Sequence, residues 1–142
     1  ILINEKSYLE DVISAKAWTK KCQELYEINK ETKLSNIFFE EKVGSLLFDR
    51  SIDLEDYEKY ARDEIIQNTS NALISLFELF DNDIFVIGGS MTKSPYDFVP
   101  LLDEYISKNF EFPNRSFPKI KLSKAREDSG MLGAALLALN SE

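Results

Sequence analysis

The chain has 142 residues, 17 of them basic and 25 acidic, for a formal net charge of −8. That length suits one domain or a piece of a larger one, and the acidic balance excludes the basic face that nucleic-acid binding needs. There is no histidine and only one cysteine, Cys22. This chain therefore cannot supply a histidine-based triad, proton shuttle or metal site, nor an internal disulfide.

The first residues, Ile1 to Val12, contain neither an initiator Met nor a basic segment followed by an apolar stretch. The expectation is a cut or partly represented chain without a signal peptide. From Tyr8 to Ile28 apolar residues at Val12, Ile13, Ala17, Trp18, Leu25 and Ile28 form a broken helical stripe with charges between, which predicts helix. A shorter helix is predicted over Leu34 to Phe48, weakened at its far end by Gly44. The longest element is predicted from about Leu54 to Phe80. Asp53 stands as its N-cap and Asp56 in its first turn, where the helix dipole favours a carboxylate. Leu54, Tyr57, Ala61, Ile65, Ala72, Leu76 and Phe80 form its stripe.

The period then changes. Ile84-Phe85-Val86-Ile87 is a continuous apolar run rich in β-branched residues and closed by Gly88-Gly89. It predicts a buried strand of the parallel-sheet kind. Asp97 is the predicted N-cap of the next helix, with Pro100 in its first turn and Leu101, Leu102, Tyr105 and Ile106 inward. Pro113 and Pro118 bracket a loop. Lys119 to Ser123 reads as a second short strand, and Asp128 or Ser129 caps a final helix over Gly130 to Leu139. The fold class is α/β and helix-rich, with two short strands. Two strands do not make an independently stable sheet, so its remainder is expected outside this chain.

Two local features point to chemistry. Gly88-Gly89 ends a strand where open α/β sheets place their ligands, and glycine lets backbone approach a flat base or a phosphate. Ser90 and Thr92 add hydroxyls there. From spacing alone, a tight turn without a ligand is the alternative. Asp128-Ser129-Gly130-Met131-Leu132-Gly133-Ala134-Ala135 puts small residues on one face, suited to close helix packing or to a cofactor. Glu10, before an amphipathic stretch, is either a solvated, dipole-favoured carboxylate or an acceptor for a polyol. Cys22 has no histidine partner for a catalytic thiol. Trp18 and the phenylalanines read as core, and Lys119, Lys121, Lys124 and Arg126 form a small basic cluster.

The stretches DIFVIGGSMT (83–92) and DSGMLGAALLAL (128–139) resemble the C-terminal part of the ROK family of repressors, open reading frames and kinases. In that family an apolar strand ends in Gly-Gly and a small or hydroxyl residue, and an acidic-small-Gly-apolar-Leu-Gly-Ala run follows. Upstream, SYLEDVISAKA (7–17) is similar to the family segment in which Leu-Glu is followed by a Ser four residues after the Glu. The resemblance implies the C-terminal portion of a ribonuclease H-like, actin-like ATPase lobe, with residues 1–142 forming part of one sugar kinase domain.

On that resemblance Gly88, Gly89 and Ser90 match the adenosine-binding turn, and Glu10 matches the glutamate that binds a sugar hydroxyl. It implies ATP with Mg²⁺, a hexose or related sugar, a cytoplasmic setting and a homodimer, with no membrane and no nucleic-acid contact from this chain. The family's Cys-x-Cys-Gly-x-x-Gly-Cys zinc motif, laid over this chain without gaps, puts its cysteines on Ile1, Ile3 and Tyr8 and its glycines on Asn4 and Ser7. The thiolates are missing, so no zinc is expected here. The family's catalytic aspartate, phosphate-binding loops and sugar-contacting histidine lie N-terminal to the matched region. This chain alone is expected to be inactive. A sugar-responsive repressor of the same family and a non-catalytic assembly domain are the alternatives.

Overall fold

A computed structural model describes residues 2–4, 7–14, 16–17, 20–21, 23–24, 47–94, 96–125, 128 and 131. It opens with a small antiparallel pair, β1 (Leu2–Asn4) and β2 (Ser7–Tyr8), in which Leu2 faces Tyr8 and Asn4 faces Ser7. A single turn of helix, α1 (Glu10–Ile13), follows.

The helix predicted from Tyr8 to Ile28 is therefore not continuous. Tyr8 belongs to β2, and the chain leaves the helical conformation at Ser14, whose ψ is 159°. Ser14 Oγ accepts a hydrogen bond from Ala17 N at 3.1 Å, as an N-cap does, and residues 16–17, 20–21 and 23–24 are helical. A serine side chain that bonds the local backbone starts a new helix rather than extending the old one. Trp18 and Cys22 lie outside the described residues. So does the predicted helix 34–48, apart from Leu47 and Phe48, which sit in a turn and are buried in the core. Asp49 follows them, and its Oδ1 accepts from Ser51 N at 2.8 Å and from Ser51 Oγ at 2.7 Å, which favours a turn over continued helix.

The long helix α2 (Asp56–Phe80) begins two residues later than predicted. Its N-cap is Glu55, not Asp53. Glu55 accepts from the Glu58 backbone, and Glu58 Oε2 accepts from Glu55 N at 2.7 Å. This reciprocal pair satisfies two donors at once, which a lone aspartate does not. Ala61, Ile65, Leu73 and Phe77 form its buried stripe at multiples of four residues. Asp81 ends the helix in the left-handed conformation (φ 49°), its N–H donating to Phe77 O at 2.8 Å.

Two parallel strands follow, β3 (Ile84–Ile87) and β4 (Lys119–Leu122), paired from Ile84↔Lys119 to Ile87↔Leu122. The crossover between them contains a short 3₁₀ turn, Ser90–Lys93, and helix α3 (Val99–Asn109). The N-cap is Phe98, one residue past the predicted Asp97, whose Oδ1 accepts from Val99 N at 3.0 Å; Pro100 lies in the first turn, as the sequence predicts. Helix α3 packs on α2 and on β4 through Val99, Leu102 and Ile106. Phe77, Phe85, Phe112 and Phe117 join the end of α2 to β3 and to the loop before β4. Their rings are 5.3–5.7 Å apart from Phe77 to Phe117, Phe117 to Phe85 and Phe112 to both Phe77 and Phe117.

The described residues thus hold four strands, not two, but the parallel sheet has only the two that were predicted. One face of it, Phe85 and Ile120, is buried against the helices. The other is not: Ile84 is 44% exposed and Val86 61%. The prediction of a strand buried on both faces is corrected on that side, because none of the described elements covers it. The final helix predicted over 130–139 lies outside the described residues except for Met131, which is helical. Among the described residues no helix is long and apolar enough to cross a membrane.

Candidate functional site

Parallel strands leave their carboxyl ends on one side of the sheet, and there β3 runs into the two glycines. Gly89 has φ 94° and ψ −169°, a combination that in practice only glycine adopts. A Cβ placed there would meet nothing within 4 Å. The glycine is required by the backbone, and the described residues leave the space at its Cβ position empty.

The turn is fixed from inside. Thr92 N donates to Gly89 O at 3.1 Å and Thr92 Oγ1 donates to the same carbonyl at 2.7 Å. Thr92 is 2% exposed. Its hydroxyl is used within the turn. Ser90 opens the 3₁₀ turn beside Gly89.

The neighbouring strand supplies the other rim. Ser123 N donates to Ile87 O at 2.7 Å, which extends the ladder past β4 and sets residues 123–125 alongside the glycine turn. Ser123 Oγ accepts from Ala125 N at 3.2 Å. Lys124 is exposed on this rim, whereas Lys119 is at the opposite end of β4 and Lys121 is on its outer face. The predicted basic cluster is therefore divided, with Arg126 outside the described residues.

Glu10 is carried elsewhere, in the first turn of α1, where it is exposed. Helix α1 packs on α2 rather than ending beside β3. Next to Glu10, a polar cleft of about 180 Å³ runs between α1, the helical residues that follow and α2, lined by Asp11, Lys20, Lys21, Glu64 and Asn68. In it Lys21 Nζ is 2.8 Å from Glu64 Oε2. The hydrogen bond to Glu64 is the main reason that the Lys21 ammonium titrates above the ordinary lysine range.

Three further groups have no signal in the residue pattern. Glu58 is 2% exposed, and its Oε1 has no hydrogen-bond partner while Oε2 serves the cap. Asp49 and Tyr96 lie far apart in the chain, yet each bears on the other's titration. The two Ser51 hydrogen bonds first, then Tyr96, hold the Asp49 carboxyl below its ordinary range. Asp49 in turn raises the Tyr96 phenol. Only Asp49-Arg50-Ser51, a turn sequence, hinted at part of this.

Against known proteins, a family model described as the ROK family matches residues 9–141. No curated protein and no solved structure matches the chain. The chain belongs to the ROK family, which includes sugar kinases and implies the actin-like ATPase fold. A helix-rich chain with a short parallel β-α-β unit is compatible with that fold.

Proposed function

We propose that this ROK family chain is the C-terminal part of an ATP-dependent kinase of a hexose or hexose derivative. In this reading Gly88, Gly89 and Ser90 border the adenosine of ATP, and Glu10 accepts a hydrogen bond from a sugar hydroxyl. The observation that carries it is the Gly89 turn: a glycine-only conformation, open above, at the carboxyl end of a parallel strand in a member of this family.

The chain's part in the reaction is to bind and orient. A base resting on bare backbone at Gly88–Gly89 fixes the nucleotide, and a sugar oriented by Glu10 presents one hydroxyl toward the γ-phosphate. Positioning is most of what phosphoryl transfer asks of a protein. The proposal places the group that takes the hydroxyl proton in residues that precede this chain. Among the described residues no cluster of carboxylates, cysteines or histidines has the geometry of a metal site. Mg²⁺ would enter with the phosphates of the nucleotide, as phosphoryl transfer generally requires.

The test is thermal unfolding of the full-length protein against a panel of sugars and non-hydrolysable ATP analogues. A ligand that binds only the folded state stabilises it by RT ln(1 + [L]/Kd), about 2.7 kcal/mol at a hundredfold excess over Kd. A response to both a sugar and a nucleotide is expected. A response to sugar alone would favour the repressor, and silence toward every nucleotide would overturn the kinase. Glu10→Gln in the same protein should weaken sugar binding and leave nucleotide binding unchanged.

A further inference from the structure

At the end of the two parallel strands opposite the glycine turn there is a second concavity. It encloses about 480 Å³ between α3 and the loop that leads into β4, whose first residue, Lys119, lines it. Sites that take small molecules span about 300 to 1,000 Å³. Asp103 and Ile106, three residues apart on one face of α3, line one side, and Phe112 and Phe117 supply aromatic surface.

The walls are held in place without a ligand. The Phe112 and Phe117 rings are 5.4 Å apart, and both pack on Phe77 of α2. From the same loop the Arg115 guanidinium lies 4.4 Å from the centre of the Phe77 ring and pairs with Glu78 and Asp81 at the end of α2. A loop fixed in this way does not have to be ordered by what binds, which removes one of the costs of association.

Those pairs also commit the charge of Arg115. Asp103 and Lys119 remain, one anion and one cation. Both are exposed, and among the described residues neither side chain has a hydrogen bond or an ion pair. Partial burial, then the neighbouring Asp97 charge, pushes the Asp103 carboxyl above its ordinary range. A molecule that fills the cavity takes water from the carboxylate and from the ammonium together, and desolvating either without a partner opposes binding. A purely apolar molecule compensates neither charge, and a singly charged one compensates only one.

We propose that this cavity binds a small zwitterion with an apolar or aromatic body, its ammonium against Asp103, its carboxylate against Lys119 and its body on Phe112 and Phe117. The site rests on neither the nucleotide nor the sugar assigned above.

The experiment is isothermal titration of the full-length protein with L-phenylalanine, phenethylamine, 3-phenylpropionate and glycine. L-Phenylalanine should bind. Phenethylamine lacks the carboxylate, 3-phenylpropionate lacks the ammonium and glycine lacks the apolar body. Each should bind about tenfold more weakly or worse, the scale of one charge-assisted hydrogen bond for the first two and of lost apolar burial for glycine. Asp103→Asn and Lys119→Gln alter exposed side chains and leave the core untouched. Asp103→Asn should weaken L-phenylalanine about tenfold and abolish its advantage over 3-phenylpropionate. Lys119→Gln should weaken it similarly and abolish its advantage over phenethylamine. A general loss of folding would not produce that crossed pattern. Absence of L-phenylalanine binding would overturn the proposal, as would binding unmoved by either substitution. So would phenethylamine, 3-phenylpropionate or glycine binding the unaltered protein as tightly as L-phenylalanine.

Discussion

Thr92 Oγ1 donates to Gly89 O at 2.7 Å, across the turn that connects the first parallel strand to its crossover. The carbonyl so engaged belongs to the residue with the glycine-only backbone, and the donor is buried. Thr92→Val keeps the shape and removes the donor, while Thr92 N continues to serve the same carbonyl at 3.1 Å. The expected loss is about 1 kcal/mol of unfolding free energy in the full-length protein, measured by denaturant titration. Nucleotide affinity should fall with it. Unchanged stability would show that the hydroxyl contributes nothing to the turn.

Gly89→Ala tests the backbone directly. The added methyl meets no atom within 4 Å, so a clash contributes nothing and the whole cost comes from φ 94° and ψ −169°. A destabilisation of about 1–3 kcal/mol is expected, the range for a residue forced into a sparsely populated region. A variant as stable as wild type would mean that the turn has relaxed to another conformation, which amide exchange at residues 89–93 would reveal.

How far the residues alone announce this arrangement depends on the range of the interactions. Ile84–Ile87 is legible because four apolar residues, closed by two glycines, fit no other element of that length. The stripe of α2 is legible from its period as far as Ile65, but not at its end, where Phe80 is 68% exposed and Leu73 and Phe77 are buried instead. The start of the helix is not legible either, since Glu55 and Asp53 are both acceptable caps until Glu58 is seen to answer Glu55. The break at Ser14 is missed because the apolar spacing runs through it, and only the bond from Ala17 N reveals the cap. The Gly-Gly turn is legible from its place after the strand, but nothing in the local pattern shows that the Thr92 hydroxyl turns back onto Gly89 O. The packing of Phe48 on Phe98 escapes altogether: no local period records a contact between segments so far apart.

The ion pair of Lys21 and Glu64 predicts a defined pH window. The pairing raises the folded-state pKa of Lys21 above that of the unfolded chain. Its stabilisation is therefore fully present below the unfolded value of about 10.4 and is lost as pH rises through the folded one. Both side chains are roughly a third exposed, 31% and 37%, so screening keeps the effect below about 1 kcal/mol. Unfolding of Lys21→Met and wild type should differ by a constant small amount from pH 7 to 9 and converge in stronger alkali. A difference that persists there would assign it to lost packing of the lysine stem rather than to charge.

Lys124 and Lys119 offer a matched pair of surface charges, one on the rim beside the glycine turn and one at the far end of the same strand. A nucleotide at that turn brings several negative charges close to Lys124, and a Debye length near 10 Å at 0.1 M salt leaves the distant lysine largely screened. Lys124→Glu in the full-length protein should weaken ATP binding about three- to tenfold at 0.1 M salt, and the effect should shrink as salt is raised toward 1 M. Lys119→Glu makes the same change in net charge and should leave the Kd unchanged. The two variants differ only in which end of β4 carries the reversed charge, so isothermal titration of both locates the bound phosphates. Equal effects would indicate a response to net charge alone, and an effect confined to Lys119→Glu would move the nucleotide to the opposite end of the sheet.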